Sequence, residues 1–96
     1  MLRCTFAAAL PDWQGVLAFE VEAGATVADV LRSARERVEK ISRAAAVHTA
    51  WDSGATGIFG LACDRTQPVR EGDRIELYLP LSVDPKEARR ARARAR

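Results

Sequence analysis

The residues best equipped for chemistry in this chain are few and scattered. His48 is the single histidine, and Cys4 and Cys63 are the two cysteines. A general base needs an acid or a nucleophile within hydrogen-bond reach, and the sequence sets none beside His48. One histidine and two distant cysteines match no metal-ligand spacing, and no CxxC pair is present. Gly57, Gly60 and Gly72 fall in no GxGxxG or GxxxxGK[ST] phosphate loop; they read as strand ends and a turn. The expectation is a protein that is not an enzyme and that takes no cofactor or metal. A Cys4–Cys63 disulfide is geometrically possible, but a reduced pair is the preferred reading. Cys4 alternates with Leu2 and Phe6 as a buried residue would, and Cys63 falls in an expected turn.

Binding chemistry is better represented. Residues 84–96 hold Lys86, Arg89, Arg90, Arg92, Arg94 and Arg96 against Asp84 and Glu87. That segment carries +4, so with a chain total of +2 residues 1–83 carry −2. Such a run can bind RNA, acidic protein or anionic lipid through counterion release, or can serve as a solvated terminus. The solvated terminus ranks first and non-specific anion binding second. The tail has no aromatic for base stacking and too little apolar area for membrane insertion. Candidate protein-contact residues are Trp13, in the first hairpin turn; Tyr78, outward on the last strand; and Trp51, for which a core role is preferred.

The elements that position these residues follow from hydrophobic periodicity. Residues 2–8 alternate with period two, Pro11-Asp12 and Gln14-Gly15 punctuate a turn, and Val16 to Glu22 alternate again with Leu17, Phe19 and Val21 on one face. These predict a β-hairpin. Thr26 opens a helix with Asp29 as the acidic partner of a capping box. Val27, Val30, Leu31, Ala34, Val38 and Ile41 form its buried stripe. Arg32, Arg35, Glu36, Glu39, Lys40 and Arg43 form a solvated face, with Glu36–Lys40 and Glu39–Arg43 spaced four apart in the favourable order.

Residues 44–47 either extend the helix or do not; Val47 and Trp51 are spaced to anchor the segment, and 52–57 read as loop. Ile58-Phe59 and Arg65 to Val69 suggest short strands. Arg74 to Leu79 is the clearest strand, with Ile75, Leu77 and Leu79 inward and Pro80 ending it. The result is a two-layer α+β domain over residues 1–83, a mixed sheet of four to five strands packed by one main helix, with the first and last strands parallel neighbours. A tail over 84–96 follows, with a helical start near Pro85 that frays towards Arg96, or disorder.

Composition fits one domain of 96 residues, 48% hydrophobic and 29% charged. No run approaches the ~18 apolar residues of a membrane span, and the N-terminus lacks a basic stretch leading into an apolar core. The expected location is cytoplasmic.

Val21-Glu22-Ala23-Gly24-Ala25-Thr26-Val27, Gly57-Ile58-Phe59-Gly60, Arg70-Glu71-Gly72-Asp73-Arg74-Ile75-Glu76-Leu77-Tyr78, Pro80-Leu81 and Asp84-Pro85-Lys86-Glu87-Ala88-Arg89-Arg90 together resemble the RnfH family, small bacterial proteins of the ubiquitin-like β-grasp superfamily. The first piece is generic to β-grasp carriers; the Gly-Ile-Phe-Gly segment and the ending are more specific. The chain departs from the family at Leu61 and Leu79, where a basic residue is common, and in a longer connection over 44–56. Deeper burial is the expected reason for Leu79.

The resemblance implies a β-grasp fold and a protein partner, in the setting of Rnf electron-transport genes or a toxin–antitoxin pair. It implies no settled chemistry. Sulfur or acyl carriers of the superfamily present a terminal Gly-Gly, and no glycine follows Gly72 here, so carriage ranks third after protein interaction and RNA or ribosome binding.

Overall fold

A computed structural model describes residues 1–79. Its elements are β1 (Leu2–Leu10), β2 (Trp13–Val21), α1 (Val27–Ile41), α2 (Arg43–Ala46), α3 (Ala50–Ser53), β3 (Thr56–Ile58), β4 (Leu61–Cys63) and β5 (Arg74–Leu77). The sheet runs β2-β1-β5-β3-β4, with β1 and β5 parallel and the other pairs antiparallel. The expected hairpin and the expected parallel first and last strands are both present. The expected boundary at 83 and the tail lie outside the described residues.

One layer of helices covers the inner sheet face. Val27, Val30, Leu31, Ala34 and Val38 of α1 are buried against Phe6, Phe19, Ile75 and Leu77. Ile41, assigned to that stripe, is exposed, because the helix ends there and Ser42 turns extended. The capping box forms as expected: Thr26 N–H donates to Asp29 Oδ2 at 2.9 Å and Asp29 N–H donates to Thr26 Oγ1 at 3.4 Å. Those bonds from Thr26 hold the Asp29 carboxyl below its usual range. A depressed folded pKa stabilises above the unfolded value, and that contribution fades as pH falls through the folded one. Thr26→Ala is therefore expected to cost about 1 kcal/mol at neutral pH, with a penalty in urea titrations that shrinks in acid.

Several local expectations need correction. Ser42 breaks the helix, and its hydroxyl accepts from Ala45 N–H to start α2. Residues 52–57 are not all loop: α3 reaches Ser53 and β3 starts at Thr56. Trp51 anchors this segment, but Val47 points to solvent. Cys63 ends β4 and is half-buried, while Cys4 is buried; both are free thiols. Burial, then the charges of Asp73 and Glu71, push the Cys4 thiol up. Residues 65–69 form no strand, only a bridge between Thr26 and Pro68. Arg35 is no bystander on a solvated face: it donates to Ala46 O at 2.7 Å and pairs with Asp52 at 3.0 Å. No ion pair among the described residues joins Glu36 to Lys40 or Glu39 to Arg43.

Candidate functional site

The side of the sheet away from the helices is built from alternate strand residues. Cross-strand register sets Val16, Ala7, Glu76, Gly57 and Ala62 in one row. Most of these are small, so the surface is low and flat there. Tyr78, two residues beyond Glu76, projects on the same side, and its N–H donates to Ala55 O at 2.9 Å. Its ring lies over Gly57, where an added Cβ would stand 2.5 Å from Tyr78 Oη and 2.9 Å from the Leu61 carbonyl oxygen. The glycine is what lets the ring lie down.

Glu76 organises this surface. Its Oε1 accepts from Gly60 N–H at 2.6 Å and from Tyr78 Oη at 3.0 Å, and its Oε2 accepts from Arg74 Nε at 3.4 Å. Burial pushes the carboxyl up, but the bonds from Gly60, Tyr78 and Arg74 outweigh it and hold Glu76 below its usual range. Burial first and then this carboxylate push the Tyr78 phenol up. The stabilisation from Glu76 is present above its unfolded pKa and is lost as pH falls through the depressed one. The protection factor of Gly60 N–H against hydrogen exchange should fall over that acid window. Glu76→Gln should lower it at neutral pH and flatten the dependence.

The Gly60 bond fixes the β3–β4 turn. Phe59 and Gly60 have φ values of 49° and 80°, the sign pattern of a type I′ hairpin turn. Positive φ suits glycine but is strained for a bulky residue, so the Ile58-Phe59 strand expectation is corrected at Phe59. The Phe59 ring is 62% exposed, and Leu61 after the turn is 76% exposed.

Next to Tyr78 a shallow depression has Ala7 and Ala9 as its floor and Val16, Tyr78 and Leu79 on its rim. Val16 is 55% exposed, Leu79 42% and Tyr78 37%. Leu79 is thus outside the core, because β5 ends at Leu77; the expected inward position and deeper burial are corrected.

Of the three contact candidates, Tyr78 alone belongs to this face. The turn is Pro11-Asp12, and Trp13 is the first residue of β2, half-buried and stacked on Phe6 at 6.5 Å between centroids. Trp51 is 3% exposed and stacks on the same ring at 5.4 Å. Lys86, Arg89, Arg90, Arg92, Arg94 and Arg96 lie outside the described residues. Val16 and Phe59 are not among the residues the sequence marks for a surface, and Glu76 is marked there only as outward. Val16 was within reach, as an apolar residue in phase with Glu20 on the polar side of its strand. His48 Nδ1 accepts from Ala50 N–H at 3.0 Å at the start of α3, a structural contact. No group of three or more His, Cys, Asp or Glu among the described residues could hold a metal ion.

This fold agrees with what comparison finds. Residues 2–92 match the family described as RnfH family Ubiquitin. The chain belongs to the RnfH family. Protein RnfH of Burkholderia mallei (strain NCTC 10229) is 43% identical over 86 residues, covering 88% of this chain and 71% of its own. Protein RnfH of Neisseria meningitidis serogroup C (strain 053442) is 40% identical over 101 aligned positions, covering 96% and 94%. SAMP1 from Haloferax volcanii superposes with a TM-score of 0.64 at 18% identity, covering 85% of this chain and 99% of that one. At that identity the likeness speaks for the ubiquitin-like β-grasp fold alone. Among the described residues no helix is long and apolar enough to cross a membrane.

Proposed function

We propose that this RnfH-family chain is a non-enzymatic, cytoplasmic interaction module that receives a protein partner on the outward face of its sheet. The observation that carries the reading is the ring of exposed Val16, Tyr78 and Leu79 around an alanine floor. Apolar surface contributes roughly 25 cal/mol per Å² when removed from water, and contiguous exposed patches mark interaction sites. Phe59 adds a second argument. A bulky residue at positive φ costs on the order of 1–3 kcal/mol, yet here its ring packs into no core. In this reading the strain serves presentation of the ring. The partner is a protein with an apolar surface flat enough to meet the alanine floor, acting in an Rnf electron-transport or a toxin–antitoxin system.

The test compares capture from native lysate by the full-length chain, by Val16→Glu/Leu79→Glu, and by a variant with Lys86, Arg89, Arg90, Arg92, Arg94 and Arg96 changed to Gln. A protein held in high salt, lost with the first variant and kept with the second, supports the sheet face. RNA or ribosomal material lost with the second variant and with salt would instead make the arginine tail the binding element.

A further inference from the structure

β2 is a sheet edge, paired among the described residues with β1 alone. Leu10 opposes Trp13 across a two-residue turn, which makes that pair a hydrogen-bonded one, and bonded and non-bonded pairs alternate from there. Gln14, Val16, Ala18 and Glu20 consequently turn their N–H and C=O groups away from β1. Such a row is a template for another strand unless it is blunted. This edge is nine residues long, holds no proline and no lysine, and carries Glu20 as its one charge.

Among the described residues the single guard comes from α1. Arg37 Nη1 donates to the Ala18 carbonyl at 2.8 Å, and the guanidinium carbon sits 4.1 Å from the centroid of the Phe19 ring. The bond confirms that Ala18 faces outward, and it occupies one acceptor of the open row.

We propose that the β2 edge docks β2 of a second copy of this chain and that Arg37 is the gate over it. The strand is self-complementary. An antiparallel two-fold centred on Leu17 opposes Val16 to Ala18 of the second copy, joining groups that both point outward. It opposes Gln14 to Glu20 and Gly15 to Phe19, so no like charges face each other and the large ring meets a glycine. Docking requires Arg37 to release Ala18. The edge shares Val16 with the sheet face that carries Tyr78 but uses its backbone groups where that face uses its side chain, so either can fail without the other.

Sedimentation equilibrium of the full chain from micromolar to millimolar concentration tests the gate. Arg37→Ala should tighten self-association about a hundredfold, roughly tenfold for each of the two charged hydrogen bonds that the two-fold docking has to break. Ala18→Pro in that background, which deletes an outward N–H, should reverse the gain. In the unaltered chain the Val16 and Ala18 amides should become more protected from exchange as concentration rises, a readout that needs no variant to fold. Unchanged association in Arg37→Ala, or exchange at Val16 and Ala18 independent of concentration, would overturn the proposal.

Discussion

Phe6→Ala is expected to destabilise the protein by about 3–5 kcal/mol, the range for deleting a buried phenyl ring. Phe6 is fully buried at the middle of β1, opposite Leu17 on one side and Ile75 on the other. Its ring also lies between two indoles, stacked on Trp13 at 14° and on Trp51 at 20° between planes. The substitution thus empties the position that joins hairpin, last strand and α3, and small domains have only ~5–15 kcal/mol in total. At ~4–8 °C per kcal/mol for a domain of this size, the melting temperature should fall by roughly 12–40 °C. Phe6→Leu should cost less, since it keeps most of the volume and loses the stacking. A melt followed by tryptophan fluorescence checks both, because each indole reports on the ring between them. A fall of only a few degrees for Phe6→Ala would mean that the three rings do not form one core.

That stack shows what a sequence can disclose. Phe6 and Ile75 were legible as inward residues, since period-two alternation is a local property of each strand. The α1 stripe and its Thr26–Asp29 cap were legible for the same reason, at the helical period. The positions of Trp13 and Trp51 were not, because each depends on where a short, non-periodic segment folds back. The punctuation Pro11-Asp12 and Gln14-Gly15 puts Trp13 within a turn, although Pro11-Asp12 alone makes the turn. The candidate surface was half legible. Outward Tyr78 and its neighbour Glu76 follow from alternation, but the bond that aims Gly60 at Glu76 joins residues 16 apart. No pattern along the chain signals that convergence.

Arg65 is the clearest case of a decisive residue without a local signal, and Arg65→Ala is expected to cost about 2–3 kcal/mol. Its guanidinium donates to three carbonyls at the end of α3: Trp51 O, Ala50 O at 3.2 Å and Gly54 O at 2.8 Å. A four-residue helix cannot hold itself, because its last carbonyls have no partners within it. Bonds to a charged donor contribute ~1.5–3 kcal/mol, and losing that donor leaves the acceptors exposed to whatever water can reach them. The Arg65 backbone is tied as well, with Ala28 N–H donating to Arg65 O at 2.8 Å, so the side chain links the start of α1 to the end of α3. Trp51 sits on α3 and donates from Nε1 to Ala45 O at 2.9 Å. Loss of Arg65 should therefore loosen Trp51 against Phe6 before the sheet opens. Arg65→Lys should recover only a minor part, since a compact ammonium cannot span three carbonyls as a planar fork does. Urea unfolding gives the magnitude, and near-ultraviolet circular dichroism reads the indole environment. If Arg65→Lys matched the unaltered protein in both, charge alone would be sufficient, and the fork geometry would have no part in holding α3.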